Sequence, residues 1–587
     1  MMAPARLSDL ATQHAGLLLS AAVVASLMTV SLQSGHFGQI GPDGDDVMRL
    51  VQVRELLDGK GWFDLTQTRL GPGSGTLMHW SRLVDLPIAA LAMLMSPLLG
   101  REQALNAAIT AWPVLSVLIV TCGLIAGARA LGGRRLLLFA CVLGFAVLFR
   151  HFRFLPGAID HHNLQLGLTL LAAACLLPSP RPPGLAALSG AALALAAAIG
   201  GEVYVFVAAI AGFAALDWAI AGTPAQRSAV VFGASFAATL TAAFLATVNP
   251  LDYGAVWCDA LSLVSLLAGL GGGAGFALAA QLTSRRSREV RLASLGLVGL
   301  MCGGLVVILA PQCLSNPLST LSPEARALWL DRVDEARPTF ALWAAQPDEV
   351  LFRLGTAGLG LAAAGYLAWK GMHTRAMMLF VLLLTVSLIL ALYQTRFYVF
   401  GQLFAVLPLA ALVEKLQGRE IGPGLPRPTF LFVLLAGVPM MWAAAGLALA
   451  PAVARPSAEA AASCLTPEAA VILSRLPPGR ILAPPTDTPR LLLDTPHSAL
   501  HGHYHRNADG IDAAIALFIA PPAEARQRFA EARLSYLLVC PADPDIRFFA
   551  RQAPEGLIGR IAAGDVPSWL EPAARAGDTV VYRRRRG

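Results

Sequence analysis

The sequence predicts a mostly α-helical, polytopic membrane protein of about thirteen transmembrane helices with a small α/β domain at its C-terminus. The first indication is composition: of 587 residues, 56% are apolar and only 14% are charged, and the mean hydropathy is +0.62. The second is that apolar stretches of membrane-spanning length recur along most of the chain. The third is a change to a soluble composition near the C-terminus. We therefore expect a transmembrane domain over 1–452 and a separate domain over 453–587.

The predicted spans follow from these apolar stretches. The first lies behind an N-terminus whose only basic residue is Arg6. It lacks a clear cleavage site, so we expect a retained helix rather than a signal peptide. The run LPIAALAMLMSPLL at 86–99 is short and bounded by proline, which favours an interfacial or re-entrant helix. The spans are 13–33, 104–128, 135–149, 163–178, 184–200, 202–220, 229–247, 259–281, 292–310, 349–369, 375–392, 397–414 and 428–450.

The basic residues indicate the orientation. With residue 1 in the cytoplasm, the cytoplasmic loops hold nearly all the basic residues of the short loops, as the positive-inside rule requires. These loops, rather than nucleic-acid binding, account for the net charge of +7. The exception is the tail Arg583–Arg586, which we interpret as solvated or facing lipid headgroups. The basic residues concerned are Arg134, Arg135, Arg181, Arg227, the run RRSREVR at 285–291, Lys370, Arg375, Lys415, Arg419 and Arg427.

This orientation leaves two long outer loops, 34–103 and 311–348, and places the C-terminal domain on the outer side. In that domain the strand-like runs RILAP, SYLLV and TVVYR alternate with the helical runs DGIDAAIALFIA and PAEARQRFAEA, which predicts an α/β fold. Four of the eight cysteines fall in outer segments. They could form the disulfides Cys258–Cys313 and Cys464–Cys540 in an oxidising compartment, or remain free thiols.

Three acids crowd the first outer loop. Apolar residues at helical spacing follow Asp45 and Asp46, and Gly59 would end that helix. Aspartate is a favoured helix cap, which is one explanation of the pair. Together with Asp43, however, the acids exceed what a cap needs, and crowded carboxylates repel one another unless a cation or proton compensates.

A second polar cluster, Asp160-His161-His162, stands in front of an apolar run in FLPGAIDHHNLQLGL. The proline and glycine before it indicate that the chain is still extended at Asp160. In an extended chain Asp160 and His162 point the same way and His161 points elsewhere. The pair could offer a carboxylate oxygen and an imidazole nitrogen to a divalent ion. Alternatively, Asp160 or Asn163 caps the next helix and the histidines lie at headgroup level.

Other charged residues also fall at the outer ends of helices. Glu202, in IGGEVYVF, is a functional candidate because acids at membrane depth are costly. Arg396, in YQTRFYVF, could bind phosphate with its planar fork, or extend to the lipid headgroups. Glu335 lies in the second long outer loop, where it could be an ordinary exposed acid. Four acids, an imidazole and an arginine therefore fall on one outer face, and together they suit a divalent metal holding the phosphate of a lipid-linked molecule. They are Asp45, Asp46, Asp160, Glu335, His162 and Arg396.

The ordered motifs resemble those of the GT-C membrane glycosyltransferases, and most closely the oligosaccharyltransferase catalytic-subunit family. GAIDHH is similar to that family's second motif, DDVMR to its first-loop aspartate, and Arg396-Phe397 to a pair that touches the lipid pyrophosphate. Val333-Asp334-Glu335 fits the family's loop element in part, because Arg332 replaces a threonine. The resemblance implies a GT-C fold and an inverting transfer.

The C-terminal domain departs from that family, because it lacks the WWDYG motif that recognises an asparagine sequon. It contains TPHSALHGHYHRN instead, in which His503 and His505 could contact substrate, as could His79 and Glu202. A glycan or lipid acceptor becomes more plausible than an asparagine.

The resemblance therefore implies a glycosyltransferase of the bacterial cytoplasmic membrane. It would move a sugar or oligosaccharide from a polyprenyl-phosphate or -pyrophosphate donor to a glycan, lipid or protein acceptor on the outer, periplasmic face. Arg396 would bind the donor phosphate. A transporter, a lipid flippase or a non-catalytic envelope-assembly protein remains the alternative. The catalytic residues would be Asp45, Asp46 and Glu335, and the ligands of Mg²⁺ or Mn²⁺ would be Asp45, Asp160, His162 and Glu335.

Overall fold

The chain forms two compact units. The computed structural model describes residues 21–22, 25–26, 29, 37–41, 43–149, 151–314, 321–418, 428–449 and 463–585. The first, here called the helical unit, comprises Met1–Gln39, Trp80–Ser315 and Asp334–Pro451. The second, here called the sheet unit, comprises Ile40–His79, Asn316–Val333 and Ala452–Gly587. Parts of both predicted outer loops therefore belong to the same unit as the C-terminal residues.

Helices dominate the described chain, and a small sheet lies near its C-terminus. The helices are α1 (Gly44–Leu57), α2 (Arg82–Leu99), α3 (Arg101–Leu131), α4 (Arg134–Leu148), α5 (His162–Cys175), α6 (Pro183–Ile199), α7 (Tyr204–Ala221), α8 (Gln226–Thr247), α9 (Leu263–Thr283), α10 (Arg288–Leu309), α11 (Pro323–Leu328), α12 (Pro347–Trp369), α13 (Thr374–Tyr393), α14 (Tyr398–Gln417), α15 (Thr429–Ala436), α16 (Pro439–Leu449), α17 (Pro467–Ser474), α18 (Thr488–Asp494), α19 (Ala508–Ile519), α20 (Pro522–Glu531), α21 (Pro544–Gln552) and α22 (Leu557–Ala562). The strands are β1 (Thr66–Gln67), β2 (Thr76–Leu77), β3 (Arg480–Leu482), β4 (Ser498–Ala499), β5 (Leu534–Val539), β6 (Leu570–Ala576) and β7 (Thr579–Arg584).

Nine helices within the described residues are long and apolar enough to cross a membrane, and ten if α15 and α16, bent by 85°, form one span. The polytopic prediction is confirmed at this level. Three further predicted spans form the shorter helices α4, α5 and α6. At about 1.5 Å per residue, a helix of 14 residues such as α5 is shorter than the roughly 30 Å hydrocarbon core. The predicted first span, 13–33, lies largely outside the described residues.

The run at 86–99 differs from the prediction of a short interfacial helix. It belongs to α2, which has 18 residues and meets the length and apolarity of a membrane span. Its first turn adds Arg82 and Asp85, whose buried side chains pair at 2.9 Å between Nη1 and Oδ2. The pair lets a charged turn continue into the apolar run, because each buried charge has a partner.

Close helix packing builds the core of the helical unit. Helix α14 is almost wholly buried and contacts α3, α4, α5, α12, α13 and α15. Helices α6 and α8 approach so closely that a Cβ added at Gly190 would lie 2.3 Å from the carbonyl oxygen of Phe232. Because α14 begins next to Arg396, this packed core fixes the position of that side chain.

A charge cluster ties the ends of several helices together. Asp217 in α7 accepts from Arg375 of α13 and from Arg181 in the α5–α6 connection, the latter at 3.1 Å. Both arginines also donate to the carbonyl of Leu176, which follows α5. Two arginines predicted to face the cytoplasm thus satisfy carbonyls that a helix end leaves without intrahelical partners.

The sheet unit contains the predicted α/β fold. Its five strands lie in the order β4-β3-β5-β7-β6, with β4, β3 and β5 parallel and β7 antiparallel to both neighbours. The runs RILAP, SYLLV and TVVYR supply β3, β5 and β7. The two predicted helical runs supply α19 and α20. The α/β prediction for this part of the chain is confirmed.

The first-loop segment is built into the sheet unit. Helix α1 packs on α18. In the turn between β1 and β2, the Gly71 amide donates to the carbonyl of Ala499. The Arg69 guanidinium donates to the carbonyls of Leu492 and Thr495, at 2.5 and 3.0 Å. These bonds join residues more than 400 positions apart, so the loop and the C-terminal residues fold as one body.

Both predicted disulfides are present. Cys258 bonds to Cys313 in the helical unit, and Cys464 bonds to Cys540 in the sheet unit. Each pair comes from segments predicted to lie outside the cytoplasm, and the four cysteines of the apolar spans remain free thiols. The interpretation as free thiols is therefore wrong for these four outer cysteines.

Two buried carboxylates face each other beside the second disulfide. Asp543 caps α21 by accepting from the amides of Asp545 and Ile546, and Asp487 accepts from the Cys464 amide. Burial raises the pKa of Asp543 to about 7 and that of Asp487 to about 6, and the neighbouring carboxylates add to both shifts. Cys464 lies close to both carboxylates, but its sulfur is in the disulfide. The three residues therefore do not offer a thiolate to a metal.

We expect the sheet unit to lose stability as the pH rises. An acid whose folded pKa lies above its unfolded value binds its proton more tightly in the folded state, so stability falls between about pH 4 and pH 7. For Asp543, whose pKa rises from 3.8 to about 7 on folding, the full loss should be about 4 kcal/mol. The measurement is the melting temperature of the full-length protein in detergent at several pH values. The Asp543→Asn variant, which keeps a capping side chain, should show a flatter pH profile; an unchanged profile would contradict the assignment.

Candidate functional site

The Asp160-His161-His162 segment folds into a compact cluster in the helical unit. The Nδ1 atom of His161 lies 2.6 Å from Oδ1 of Asp160, and Nε2 of His162 lies 3.3 Å from Oδ2 of the same carboxylate. The expectation that His161 points elsewhere is wrong, because the backbone of His161 is already helical and α5 begins at His162. Helical turning, rather than the alternation of a strand, brings both rings to the carboxylate.

Glu202 completes this cluster from the opposite side. Its Oε1 lies 2.8 Å from Nε2 of His161 and 3.0 Å from Nδ1 of His162. A short 3-10 helix, Gly201–Val203, carries Glu202. The chain must approach closely here, because a Cβ on Gly201 would lie 3.1 Å from the Cys258 carbonyl oxygen. The sequence singled out Glu202 as a possible substrate contact, but the structure makes it a direct neighbour of both imidazoles.

Local hydrogen bonds hold the histidine turn in place. Gly157 adopts a φ of 88°, a conformation that favours glycine, and its amide donates to the Ile109 carbonyl at 3.0 Å. The Asn163 side chain donates to the Ala158 carbonyl, and that of Gln165 donates to the Gly200 carbonyl. Helix α5 has no side-chain capping bond, so the cap interpretation of Asp160 and Asn163 is not what the structure shows.

Charge compensation explains the geometry of the cluster. Burial disfavours the charged form of His161, but the carboxylates of Asp160 and Glu202 outweigh burial and raise its pKa to about 10. His161 is therefore the cation that lies between the buried Asp160 and the partly buried Glu202. Without such a cation the two carboxylates would meet a large desolvation cost.

Two arginines flank Glu202. Arg396, in the 3-10 helix Thr395–Phe397, places Nη1 3.8 Å from Oε2 of Glu202. Its Nε is buried without a hydrogen-bond partner among the described residues, while about a third of the side chain is exposed. The charge of Arg153 also acts on Glu202. Guanidinium donors that are only partly engaged are what an incoming phosphate or carboxylate needs.

Glu335 reaches the site through Arg153. Its Oε1 lies 3.2 Å from Nη2 of Arg153, whose side chain is almost fully buried. Arg153 is not among the predicted site residues, because an arginine near a membrane surface commonly extends to the lipid headgroups. Its place in the sequence is the one signal that could have indicated a role in the site. Arg153 lies seven residues before Asp160, in the connection that leads into α5.

The backbone around Arg396 is firmly anchored. The amide of Thr395 donates to the Arg337 carbonyl at 2.9 Å, and its hydroxyl lies 2.7 Å from the hydroxyl of Thr339. Arg353 also donates to the Thr395 hydroxyl, at 3.2 Å. These bonds connect the 334–337 segment to the start of α14, so Glu335 and Arg396 are held by one local network.

The remaining predicted residues belong to the sheet unit. Asp43 is the cap of α1, accepting from the Asp45 amide at 3.0 Å, and Asp45 and Asp46 therefore occupy the first helical turn. Asp46 is buried. The imidazoles of His79 and His505 lie 4.7 Å apart between ring centroids. His503 accepts a hydrogen bond from the Trp329 indole N–H.

The donor set of the cluster fits a metal ion. One ligand atom from each of Asp160, His161 and His162 can be chosen so that all three lie within 4.8 Å of one another. A carboxylate and two imidazoles are ligands that Mn²⁺ and Zn²⁺ accept more readily than Mg²⁺ does. Imidazoles bind metal only as neutral rings, so loading this site would release the proton of His161.

Comparisons with known proteins agree with this architecture. No family model matches the sequence, and no curated protein matches it. Among solved structures, the chain is similar to the oligosaccharyltransferase of Archaeoglobus fulgidus in the apo form, with a TM-score of 0.67, 14% identity, and coverage of 92% of this chain and 71% of that chain.

Two further structures from Archaeoglobus fulgidus give the same result. The complex of its AglB protein with an inhibitory peptide and a dolichol-phosphate matches with a TM-score of 0.64 at 15% identity, covering 98% of this chain and 75% of that one. The complex with Zn and sulfate matches with a TM-score of 0.58 at 15% identity, covering 97% and 73%. At such identity the likeness shows the fold, and the chain has the GT-C fold that the sequence motifs predicted.

We expect His161 to be required for the stability of the cluster. The His161→Ala variant leaves Asp160 and Glu202 buried without their shared cation, which should cost roughly 3 kcal/mol. The measurement is the melting temperature of the purified protein in the presence of EDTA. Adding Glu202→Gln to that variant removes one of the two charges and should recover part of the loss. A double variant as unstable as the single one would contradict the charge-compensation argument.

Proposed function

We propose that this protein is a membrane glycosyltransferase. It moves a sugar or oligosaccharide from a polyprenyl-phosphate or -pyrophosphate donor to a glycan, lipid or protein acceptor. The observation that carries the proposal is the juxtaposition, in a GT-C fold, of a carboxylate–imidazole cluster with the partly engaged Arg396. A metal-binding set beside a guanidinium is suited to a sugar phosphate, whose leaving group is an anion.

The cluster provides the proposed metal site. Asp160, His161 and His162 would hold a divalent ion, and their mixed oxygen and nitrogen donors favour Mn²⁺ over Mg²⁺. When bound, the ion would offset the negative charge that develops on the departing phosphate. Asp45 and Glu335 remain proposed additional ligands on the strength of their motifs. Glu202 would keep the two imidazoles oriented, as acids beside metal-ligating histidines commonly do.

Arg396 is the proposed clamp for the donor phosphate. Its planar fork can donate two parallel hydrogen bonds to phosphate oxygens, and its Nε is buried without a partner among the described residues. The position of the side chain is set by the Thr395 network described above. Glu202, 3.8 Å away, would restrain the guanidinium before the donor arrives.

The acceptor would be activated by a first-loop acid. Asp46, or Asp45 if the roles are exchanged, would accept the proton of the attacking hydroxyl, and the displacement would invert the anomeric centre. Both carboxylates lie in the first turn of α1, beside the Asp43 cap. The lack of a WWDYG motif argues against an asparagine acceptor and leaves His79, His503 and His505 as proposed substrate contacts.

The proposed location is the bacterial cytoplasmic membrane, with the active site and the C-terminal residues on the periplasmic side. The two disulfides support an oxidising compartment for the segments that contain them. The positive-inside distribution of the basic residues supports the same orientation. A lipid-linked donor also suits this side, because it needs no nucleotide outside the cell.

We expect the cluster to be essential for sugar transfer. Asp160→Asn and His162→Ala should each lower transfer by at least about 100-fold, because they remove stabilisation of the leaving phosphate. EDTA should abolish transfer, and Mn²⁺ should restore it better than Mg²⁺. The measurement is the glycan output of a strain carrying each variant, followed by transfer from a polyprenyl-linked donor with purified protein. Asp252→Asn, at an exposed acid of the predicted 248–258 loop, is the control and should be neutral; full activity of Asp160→Asn would overturn the site.

Substitutions at Arg396 should separate charge from geometry. Arg396→Lys keeps the positive charge but loses the bidentate fork, so transfer should fall roughly tenfold, whereas Arg396→Ala should lose a further tenfold or more. The initial rate at varied donor concentration is the measurement. Equal activity of the lysine and wild-type proteins would contradict bidentate phosphate binding.

A further inference from the structure

A group of exposed arginines lies where two neighbouring connections of the helical unit meet. The connection between α9 and α10 contains Arg285 and Arg286, and α10 begins at Arg288. Arg227 lies in the first turn of α8, directly after the α7–α8 connection. All four side chains are exposed. These four residues are here called the arginine surface.

Hydrogen bonds hold the two connections together. The Trp218 indole N–H, in α7, donates to the Ser284 hydroxyl at 2.8 Å, and the Thr223 hydroxyl donates to the Ser284 carbonyl at 3.2 Å. The Gln226 side chain donates to the Gln281 carbonyl at 3.3 Å. The four arginines are therefore carried by one ordered surface rather than by two separate loops.

Arg291 has a different role from the exposed arginines, because backbone carbonyls engage its guanidinium. It donates to the carbonyls of Ala219 at 2.8 Å, Ser284 at 3.2 Å and Arg286 at 3.0 Å. The chain packs closely against it, since a Cβ added at Gly222 would clash with its Nη1 atom. Arg291 thus orders the turn between α9 and α10, and the exposed arginines are not needed for that purpose.

The charge of the arginine surface is not balanced by nearby acids. The side chains of Arg227, Arg285 and Arg286 form no hydrogen bond or ion pair with another described residue. Glu289 is the one acid of the run RRSREVR, and it interacts with the two arginines on either side of it. Asp217 of α7 is engaged by the two arginines of the charge cluster described above. At least three positive charges therefore remain without an acid.

Helix stability does not account for the positions of these arginines. The N-terminus of a helix carries a partial positive charge, so an arginine in the first turn is unfavourable there. Arg227 and Arg288 nevertheless occupy the first turns of α8 and α10, and the first turn of α8 contains no acid. An anion from outside the chain would relieve this repulsion.

The position of the arginine surface indicates that the anion comes from the membrane. Helices α9 and α10 are both long and apolar enough to cross a membrane, and the arginine surface lies at their joined ends. No residue of α10 is buried by the rest of the described chain, so lipid would surround this helix. Lipid phosphates lie at the level where apolar helices end, and clustered arginines at that level attract anionic headgroups.

We propose that the arginine surface binds the headgroups of acidic phospholipids. Arg227, Arg285 and Arg286 contact the phosphodiester oxygens, which match the planar guanidinium fork. A zwitterionic phospholipid has the same phosphate but also a cationic group, so the arginines select lipids with a net negative charge.

This lipid contact is separate from the proposed sugar transfer. Helix α7 begins two residues after Glu202 and ends at Ala221, beside the arginine surface. At about 1.5 Å per residue, the 18 residues of α7 separate Glu202 from the arginine surface by roughly 27 Å. The arginine surface therefore uses no residue of the carboxylate–imidazole cluster.

The test is native mass spectrometry of the full-length protein in a neutral detergent, with equal amounts of phosphatidylglycerol and phosphatidylcholine added. We expect the wild-type protein to retain phosphatidylglycerol about tenfold better, and added salt to reduce that preference. Arg285→Glu combined with Arg286→Glu should lower the preference by about tenfold. The matched control is Arg134→Glu combined with Arg135→Glu, in an exposed pair at the start of α4. Because Glu414 already accepts from the Leu136 amide beside that pair, the control should change the preference by less than about twofold.

Three outcomes would overturn the proposal. They are equal retention of both lipids by the wild-type protein, an unchanged preference in the Arg285 and Arg286 variant, and an equal loss in the control. The last would show that the charge of the whole membrane face selects the lipid. An RNA oligonucleotide that binds despite saturating phosphatidylglycerol would assign the surface to nucleic acid and also contradict the proposal.

The variants are checked for folding by their melting temperatures. The side chains of Arg285 and Arg286 have no contacts to lose within the described chain, so we expect wild-type values. If the double glutamate variant is unstable, Arg285→Gln combined with Arg286→Gln replaces it, and a wild-type lipid preference in that protein would equally overturn the proposal. The readout is lipid retention, so the result stands whether or not the protein transfers sugar.

Discussion

The candidate site depends on placing two buried carboxylates against one pair of imidazoles. Asp160 and Glu202 come from different connections of the helical unit, and each would be unfavourable in this environment alone. His161 contacts both of them at 2.6 and 2.8 Å, which makes the cluster a single electrostatic unit. The surrounding backbone holds these side chains in position. It includes the Gly157 turn, the glycines before Glu202 and the anchored start of α14. A cluster held this way is organised by its own contacts.

The same constraint connects structure to chemistry. In the proposed metal-bound state, a divalent ion would replace the His161 proton in compensating these two carboxylates. Arg396 and Arg153 extend the positive field beyond Glu202 toward Glu335. Glu202 therefore has the imidazoles and Asp160 on one side and guanidinium donors on the other. This arrangement would suit the phosphate of the proposed donor.

Part of this site could be predicted from sequence, and the reasons for the rest are physical. Composition and hydropathy identify the membrane helices. GAIDHH indicates Asp160 and His162 as candidate site residues, because polar side chains near a membrane are energetically costly and are often functional. The role of His161 could not be predicted, since it depends on whether the chain turns helical at 161 or at 163. Arg153 carries no local signal that separates it from a lipid-facing arginine. The packing of residues 40–79 with the C-terminal residues was likewise hidden, because contacts over 400 positions leave no periodic pattern.

The composite sheet unit has a consequence for biosynthesis. Arg69 forms its carbonyl bonds with residues near 492–495, and Gly71 bonds to Ala499, so the first loop has no complete partner until residues 492–499 have been synthesised. A nascent chain must hold that loop unpaired during the insertion of all the intervening helices. Maturation is therefore limited by the end of translation, and a premature stop removes the fold of the first loop as well as the tail.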